Sequence, residues 1–305
     1  VLQLSYPRGS TYKMVSALAG LAKGVIDDDT VFYCPGYYSF GNRTYRCWKR
    51  AGHGPVNLNK AIAESCDVSF YQVGQRVGVD SLAEYAKKLG LGEKTGVEME
   101  YEKSGLAPTK QWKLKYRKQK WQEGETLSIA IGQGFNLTSP LQICLMTATI
   151  ANGGKVWKPQ LVEQVTDPEG NVVETFQPEL VSEVKNMERY FNSIRKGMEE
   201  VVQGKRGTAR RVAIDGLRIA GKTGTAQVVK LAQYRHLKEQ DIPYKYRDHA
   251  WFTCYAPADK PEIAVTVLVE HGLHGGSGAG PIARAVLNQY FGERLKNMQV
   301  AEVKQ

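Results

Sequence analysis

The chain has 305 residues, 42% of them hydrophobic, and a formal net charge of +10 at pH 7. That length allows a large buried core in one big domain or two small ones. No stretch approaches the roughly 18 apolar residues of a membrane span, no signal peptide opens the sequence, and no Cys/His finger, aromatic RNA-binding signature or basic heptad helix supports nucleic-acid binding.

In chain order, Ser10 to Lys23 reads as a buried helix built from small residues, closed by Gly24. Ser10 falls on its first turn, and Lys13 follows on the same face three residues later. An Asp-, Tyr- and Gly-rich loop then carries Cys34, Cys47 and His53. A short helix over 58–64 ends at Ser65-Cys66-Asp67. Two amphipathic helices over 68–77 and 81–89 stop at Gly78 and Gly90. The segment from Gly96 to Gly124 holds the basic run Lys110 to Lys120, read as a solvated loop anchored by Trp112 and Trp121. Such a run also attracts anionic lipid or an acidic polymer.

Ser139 with Pro140 is a helix start, an N-cap followed by proline at the first helical position, and that helix runs to Asn152. A hairpin turning at Asp167-Pro-Glu-Gly170 and an amphipathic helix over 190–202 come next. The last third is dominated by strands over 217–229, 249–255 and 263–270, closed by a helix over 277–291. Residues 295–305 read as a polar tail. Helices ahead of a late antiparallel set of strands make an α+β layered domain, with helices packed on a sheet.

Three motifs stand in one order: Ser10-x-x-Lys13, Ser65-x-Asp67 and Lys222-Thr223-Gly224-Thr225. An amine one turn from a hydroxyl suits a nucleophilic serine that has no histidine. Amides free at a helix start can face a carbonyl under attack. Singly, each motif is an ordinary helix start, helix end or strand. Together they resemble the Ser-x-x-Lys, Ser-Asp-Asn and Lys-Thr-Gly signature of penicillin-binding proteins and class A β-lactamases, with Cys66 and Asp67 departing from the second motif.

Beyond these triplets the sequence resembles the transpeptidase domain of class B penicillin-binding proteins of the elongation type, penicillin-binding protein 2. The likeness covers nearly the whole chain. It rests on Tyr6-Pro-Arg-Gly-Ser-Thr-Tyr-Lys13, Trp48-Lys-Arg-Ala-Gly-His-Gly54, Glu64-Ser-Cys-Asp-Val-Ser-Phe-Tyr-Gln72, Ile131-Gly-Gln-Gly134 and His249-Ala-Trp-Phe252. Arg8 departs from it, standing where the family has a second proline. The resemblance implies a penicillin-binding transpeptidase or serine β-lactamase-like fold over residues 1–294. The family's first strand, pedestal and membrane anchor would lie upstream of Val1.

The resemblance further implies a peptidoglycan D,D-transpeptidase acting in cell elongation. Ser10 would attack the penultimate D-Ala of a stem peptide, and β-lactams would acylate it. Lys13 would be the base, its pKa depressed by burial and by Lys222. Ser65 would relay a proton, and Asp67, in place of the commoner Asn, would orient Lys13 or the substrate amide. Lys222 and Thr223 would hold the substrate carboxylate. Gly224 would let the ligand approach, and the Thr225 and Ser10 amides would form the oxyanion hole. The full-length protein would sit on the periplasmic face of the inner membrane beside a glycan polymerase of the elongation machinery. A D,D-carboxypeptidase and a non-catalytic penicillin sensor are the alternatives. Fast β-lactam hydrolysis is not expected, because the Glu-x-x-Leu-Asn segment that class A β-lactamases share is missing.

Cys34, Cys47, His53 and Cys66 interleave as a candidate tetrahedral zinc site. A Cys34–Cys47 disulfide, reasonable outside the cytoplasm, and free thiols compete with it. The resembled family favours metal, since its members carry Asp or Cys at the first two positions, His at the third and Cys at the fourth. Cys144 and Cys254 read as small buried hydrophobes.

Overall fold

The computed structural model describes residues 2–228, 237 and 241–302, with side chains described to Leu295. A 3-10 turn over Gly9–Tyr12 runs into α1 (Lys13–Ala22). Every residue of α1 up to Leu21 is buried, so apart from Lys13 this helix is apolar or small all round rather than amphipathic. The segment expected to be loop instead holds β1 (Phe32–Cys34), β2 (Tyr37–Phe40), β3 (Arg43–Arg46) and β4 (Gly54–Val56), paired as β1–β4 and β2–β3. These strands are three or four residues long, too short for a period-2 pattern to show.

Next come α2 (Leu58–Ala63), α3 (Asp67–Val77) and α4 (Val79–Lys88). Asn57 caps α2 by accepting from the Lys60 amide. The basic run is not a loop. It forms α5 (Lys110–Arg117), capped by Thr109, whose side chain accepts from the Trp112 amide. Then follow α6 (Glu123–Ala130) and α7 (Pro140–Ala151), the latter opened by a Ser139–Gln142 capping box as its sequence requires. Beyond α7, β5 (Lys155–Trp157) pairs with β8 (Leu180–Glu183) around the hairpin of β6 (Gln164–Thr166) and β7 (Val172–Thr175).

The remaining elements are α8 (Glu188–Gln203), β9 (Ala220–Ala226), β10 (His249–Ala256), β11 (Ile263–Val269) and α9 (Gly280–Glu302). The helix α9 continues well past Arg294, and Leu295 packs against the core. The expected tail is therefore helical to Glu302. The strand expected over 217–229 forms only at its centre, and Val229 lies outside the described residues.

The main sheet is antiparallel in the order β11-β10-β9, with Phe252 opposite both Thr223 and Val267. Period-2 alternation gives β10 two buried faces. Thr253 meets Thr147 of α7 through hydroxyls 2.7 Å apart, while Ala250 lies under the glycine turn that leads into α9. On the helical side, a Cβ at Gly20 would fall 2.9 Å from Val73, and one at Gly74 only 2.4 Å from the Ala130 Cβ. Glycine is what lets α1, α3 and α6 stack this closely. The result is a buried α1 whose N-terminal turn lies across the outer edge of β9.

Candidate functional site

The turn carrying Ser10 is clamped from three sides. Gly9, at φ +54°, lies so close to β9 that a Cβ there would sit 2.4 Å from the Thr225 oxygen. The Gly9 amide donates to the Gly132 carbonyl at 3.1 Å, and the Trp251 indole donates to the Pro7 carbonyl at 3.0 Å. Beneath the turn, Arg8 is fully buried. Its guanidinium donates to the Leu106 and Leu137 carbonyls, both at 2.9 Å, and to Asn136 Oδ1 at 3.3 Å, and it lies 5.0 Å from the Tyr12 ring centroid. Burial pushes its pKa down to about 10. The departure from the family pattern is thus a buried anchor. Nothing in the local sequence marked it, because a lone arginine in a turn ordinarily faces solvent.

Ser10 itself is half-buried, one turn ahead of Lys13. Lys13 has no exposed surface, and its Nζ donates to Asp67 Oδ1 at 2.6 Å, to the Ser65 carbonyl at 2.9 Å and to Ser65 Oγ at 3.1 Å. Lys222 Nζ, also fully buried, reaches the same Ser65 hydroxyl at 2.9 Å and the Thr223 carbonyl at 2.9 Å. The helix start, helix end and strand motifs therefore meet in one cluster, with Ser65 Oγ between two amines.

The two lysines are not equivalent. Lys13 has a carboxylate partner; among the described residues Lys222 has only a hydroxyl and a carbonyl. Burial, and then the charge of Lys13, push the Lys222 pKa well below its ordinary range, with Asp67 opposing. Ser65 adopts φ +53°, a conformation that costs a non-glycine residue about 1–3 kcal/mol and recurs at functional sites. That backbone lets one residue turn both its carbonyl and its hydroxyl to Lys13. Trp48 locks the turn: its amide donates to Asp67 Oδ2 at 2.8 Å, and its indole to the Glu64 and Ser65 carbonyls at 3.1 and 3.0 Å.

On β9, Thr223 Oγ1 lies 2.8 Å from Thr208 Oγ1. The Thr225 carbonyl accepts from the Gln133 side chain at 3.1 Å. In an extended strand a residue's N–H and C=O leave by the same edge, so the Thr225 amide points to the outer edge beside Gly9 and Ser10. The crowding at Gly224 is within the protein rather than against a ligand. A Cβ there would meet the protein itself, at 2.9 Å from the Trp251 Cβ and 3.0 Å from Thr11 Cγ2. Glycine at this position lets the strand seat on the Ser10 turn.

Cys34, Cys47, His53 and Cys66 are all buried, with their ligand atoms within 4.8 Å of one another. Both Cys34 Sγ and Cys47 Sγ lie 3.5 Å from His53 Nδ1. A tetrahedral zinc with Zn–S near 2.3 Å and Zn–N near 2.0–2.1 Å requires an S···N separation of about 3.5 Å. Cys34 and Cys47 have that spacing to His53, and all five cysteines are free thiols. Its hydrogen bond with Cys66 pushes the Cys47 thiol well below the ordinary range, while Cys66 and Cys34 are pushed up.

Ser-x-x-Lys, Ser-x-Asp and Lys-Thr-Gly converging at the edge of an antiparallel sheet define the penicillin-binding and serine β-lactamase class of folds. Within that class, the penicillin binding protein transpeptidase domain matches residues 1–288, and the chain belongs to this family. The peptidoglycan D,D-transpeptidase MrdA of Haemophilus influenzae is 39% identical over 302 residues, covering 97% of this chain and 46% of that protein. The chain thus spans about half the length of the curated relatives it matches. A crystal structure of Pseudomonas aeruginosa PBP2 in complex with WCK 5153 superposes with a TM-score of 0.79 at 37% identity, over 95% of this chain and 60% of that one. PBP2 in the complex with MreC from Helicobacter pylori gives 0.82 at 36% identity, over 95% of this chain and 50% of that one.

Proposed function

We propose that residues 1–294 are the catalytic unit of a peptidoglycan D,D-transpeptidase that cross-links stem peptides through an acyl-enzyme on Ser10. The observation that carries this reading is the buried cluster in which Lys13 and Lys222 both reach Ser65 Oγ while Asp67 pairs with Lys13. A stem peptide ending in D-Ala-D-Ala lies along β9 with its terminal carboxylate on Lys222 and Thr223. That negative charge favours the ammonium form of Lys222, which burial otherwise disfavours. A proton moves from Lys13 through Ser65 Oγ to Lys222, leaving Lys13 neutral. Ser10 Oγ then gives its proton to Lys13 as its oxygen bonds to the carbonyl carbon of the penultimate D-Ala. The Ser10 and Thr225 amides hold the oxyanion, a contact whose loss typically costs about 10²–10³ in rate.

When the amide C–N bond breaks, the departing D-Ala nitrogen takes a proton back from Lys13 or Ser65. The amine of a second stem peptide then attacks the ester, and Ser10 recovers its proton. A β-lactam enters the same sequence at the acylation step. The full-length protein is proposed to be anchored in the inner membrane, to act on its periplasmic face, and to work with a glycan polymerase during cell elongation. That role accords with the MrdA relatives and with an H. pylori PBP2 solved in complex with MreC.

Cys34, Cys47, His53 and Cys66 are proposed to hold a structural zinc ion. Such an ion would fix Cys66, and so the turn between Ser65 and Asp67, from behind the site. Metal analysis of the purified protein is expected to give one zinc per chain and chelation to lower its melting temperature; a metal-free protein with a Cys34–Cys47 bridge refutes the site. For the catalytic reading, fluorescent penicillin is expected to label the protein durably and Ser10→Ala to abolish labelling. Rapid release of the label, or labelling that survives in Ser10→Ala, overturns it.

A further inference from the structure

Helix α5 and the residues after it place Lys110, Lys113, Lys115, Arg117, Lys118 and Lys120 together with no acidic residue among them. Two of these cations are neutralised. Lys113 is buried and pairs with both Glu125 oxygens at 2.7 Å, which ties α5 to the start of α6, and Lys110 lies 3.5 Å from Glu123. Lys115, Arg117, Lys118 and Lys120 are exposed and make no ion pair among the described residues.

This unpaired end of the helix is joined to the cleft. The Arg117 guanidinium lies over both Trp112 and Phe135, 6.0 and 5.7 Å from the ring centroids, and the two rings are 5.4 Å apart. Phe135 is two residues from Gln133, whose side chain donates to the Thr225 carbonyl. One ring contact, two residues of chain and one hydrogen bond thus connect Arg117 to β9. With its penultimate D-Ala at Ser10, a pentapeptide has three residues upstream of it, roughly 10 Å of extended chain leaving the cleft.

We propose, resting on the transpeptidase reading above, that Arg117, Lys115 and Lys118 form a subsite for the free carboxylates that a stem peptide carries upstream of its D-Ala-D-Ala end. The charges are held rather than floppy, since α5 is capped by Thr109, pinned by Lys113 and stacked on Phe135. A membrane surface suits this face less well. Eight residues of helix span only about 12 Å, and Leu114 and Tyr116 are its sole exposed apolar side chains, too little to enter a headgroup layer.

The test compares two synthetic pentapeptides ending in D-Ala-D-Ala, one with free upstream carboxylates and one with those groups amidated. Calorimetric titration at low salt is expected to show the parent protein binding the carboxylate form about three- to tenfold more tightly, as two or three exposed ion pairs provide. Added salt should erase that preference. Arg117→Gln combined with Lys118→Gln should abolish it while fluorescent penicillin labels the variant at the parent rate. Equal affinity of the parent for both peptides, or an unchanged preference in the variant, overturns the subsite. So does binding to anionic phospholipid vesicles that the same substitutions abolish without altering peptide affinity. Failure of penicillin to label the parent protein would instead refute the acyl-enzyme reading beneath it.

Discussion

Asp67→Asn isolates what the carboxylate does for the two buried amines. Asp67 Oδ1 is 2.6 Å from Lys13, and no other carboxylate among the described residues pairs with either Lys13 or Lys222. At that distance and an effective dielectric near 20, the gross attraction is about 6 kcal/mol. Desolvation offsets part of it, and breaking such a buried pair typically costs about 3–5 kcal/mol. Asparagine keeps the shape, but it accepts at only one oxygen, so either Lys13 or the Trp48 amide faces an amide donor instead. Urea unfolding of Asp67→Asn is therefore expected to show a loss of about 3–5 kcal/mol. Removing the negative charge also disfavours the ammonium form of Lys222, which Asp67 supports, so the acid limb of the penicillin-acylation pH profile moves down. A variant within about 1 kcal/mol of the parent, with its acid limb in place, would show that Asp67 is a solvated bystander and refute the argument.

Lys222→Met tests the depressed amine. A cation whose folded pKa lies below its unfolded value binds its proton more weakly when folded, so its contribution to stability rises with pH from the folded value up to about 10.5. Denaturant titrations from about pH 7 to pH 10 should show that slope in the parent and its loss in Lys222→Met; parallel curves refute it. Arg8→Met is expected to separate stability from rate. The Leu106 and Leu137 carbonyls keep their backbone donors from each other's residue, so unfolding changes by no more than about 1–2 kcal/mol. The Ser10 turn loses its floor, and acylation should slow about tenfold or more; an unchanged acylation rate removes Arg8 from the positioning of Ser10.

The parts of the fold that were readable were those carried by strong local signals. Ser139-Pro140 with Gln142 is a complete helix start, and the β-branched runs of β10 and β11 are long enough to show strands. The four short strands around Cys34 and Cys47 were not readable, because their order comes from pairing and from the thiol quartet rather than from propensity. The basic run was misread since its mean composition is that of a solvated loop. What makes it a helix is Lys113, buried against Glu125 across the chain. Within the site, the three motifs were legible from residue type and order, and their meeting was implied by the resemblance to penicillin-binding proteins. Arg8, Trp48 and Gln133 were not legible as site residues, because their roles depend on contacts at sequence separations of 98, 17 and 92 residues.

Residues 64–67 leave little room for change. The Glu64 carbonyl takes the Trp48 indole, Ser65 serves both lysines, Cys66 belongs to the thiol quartet, and Asp67 divides its oxygens between Lys13 and the Trp48 amide. A substitution at any of these four positions disturbs a second set of partners along with the first. Any tolerated change in these four residues has to satisfy two sets of neighbours at once, a demand that the solvent-exposed side chains of α5 do not face.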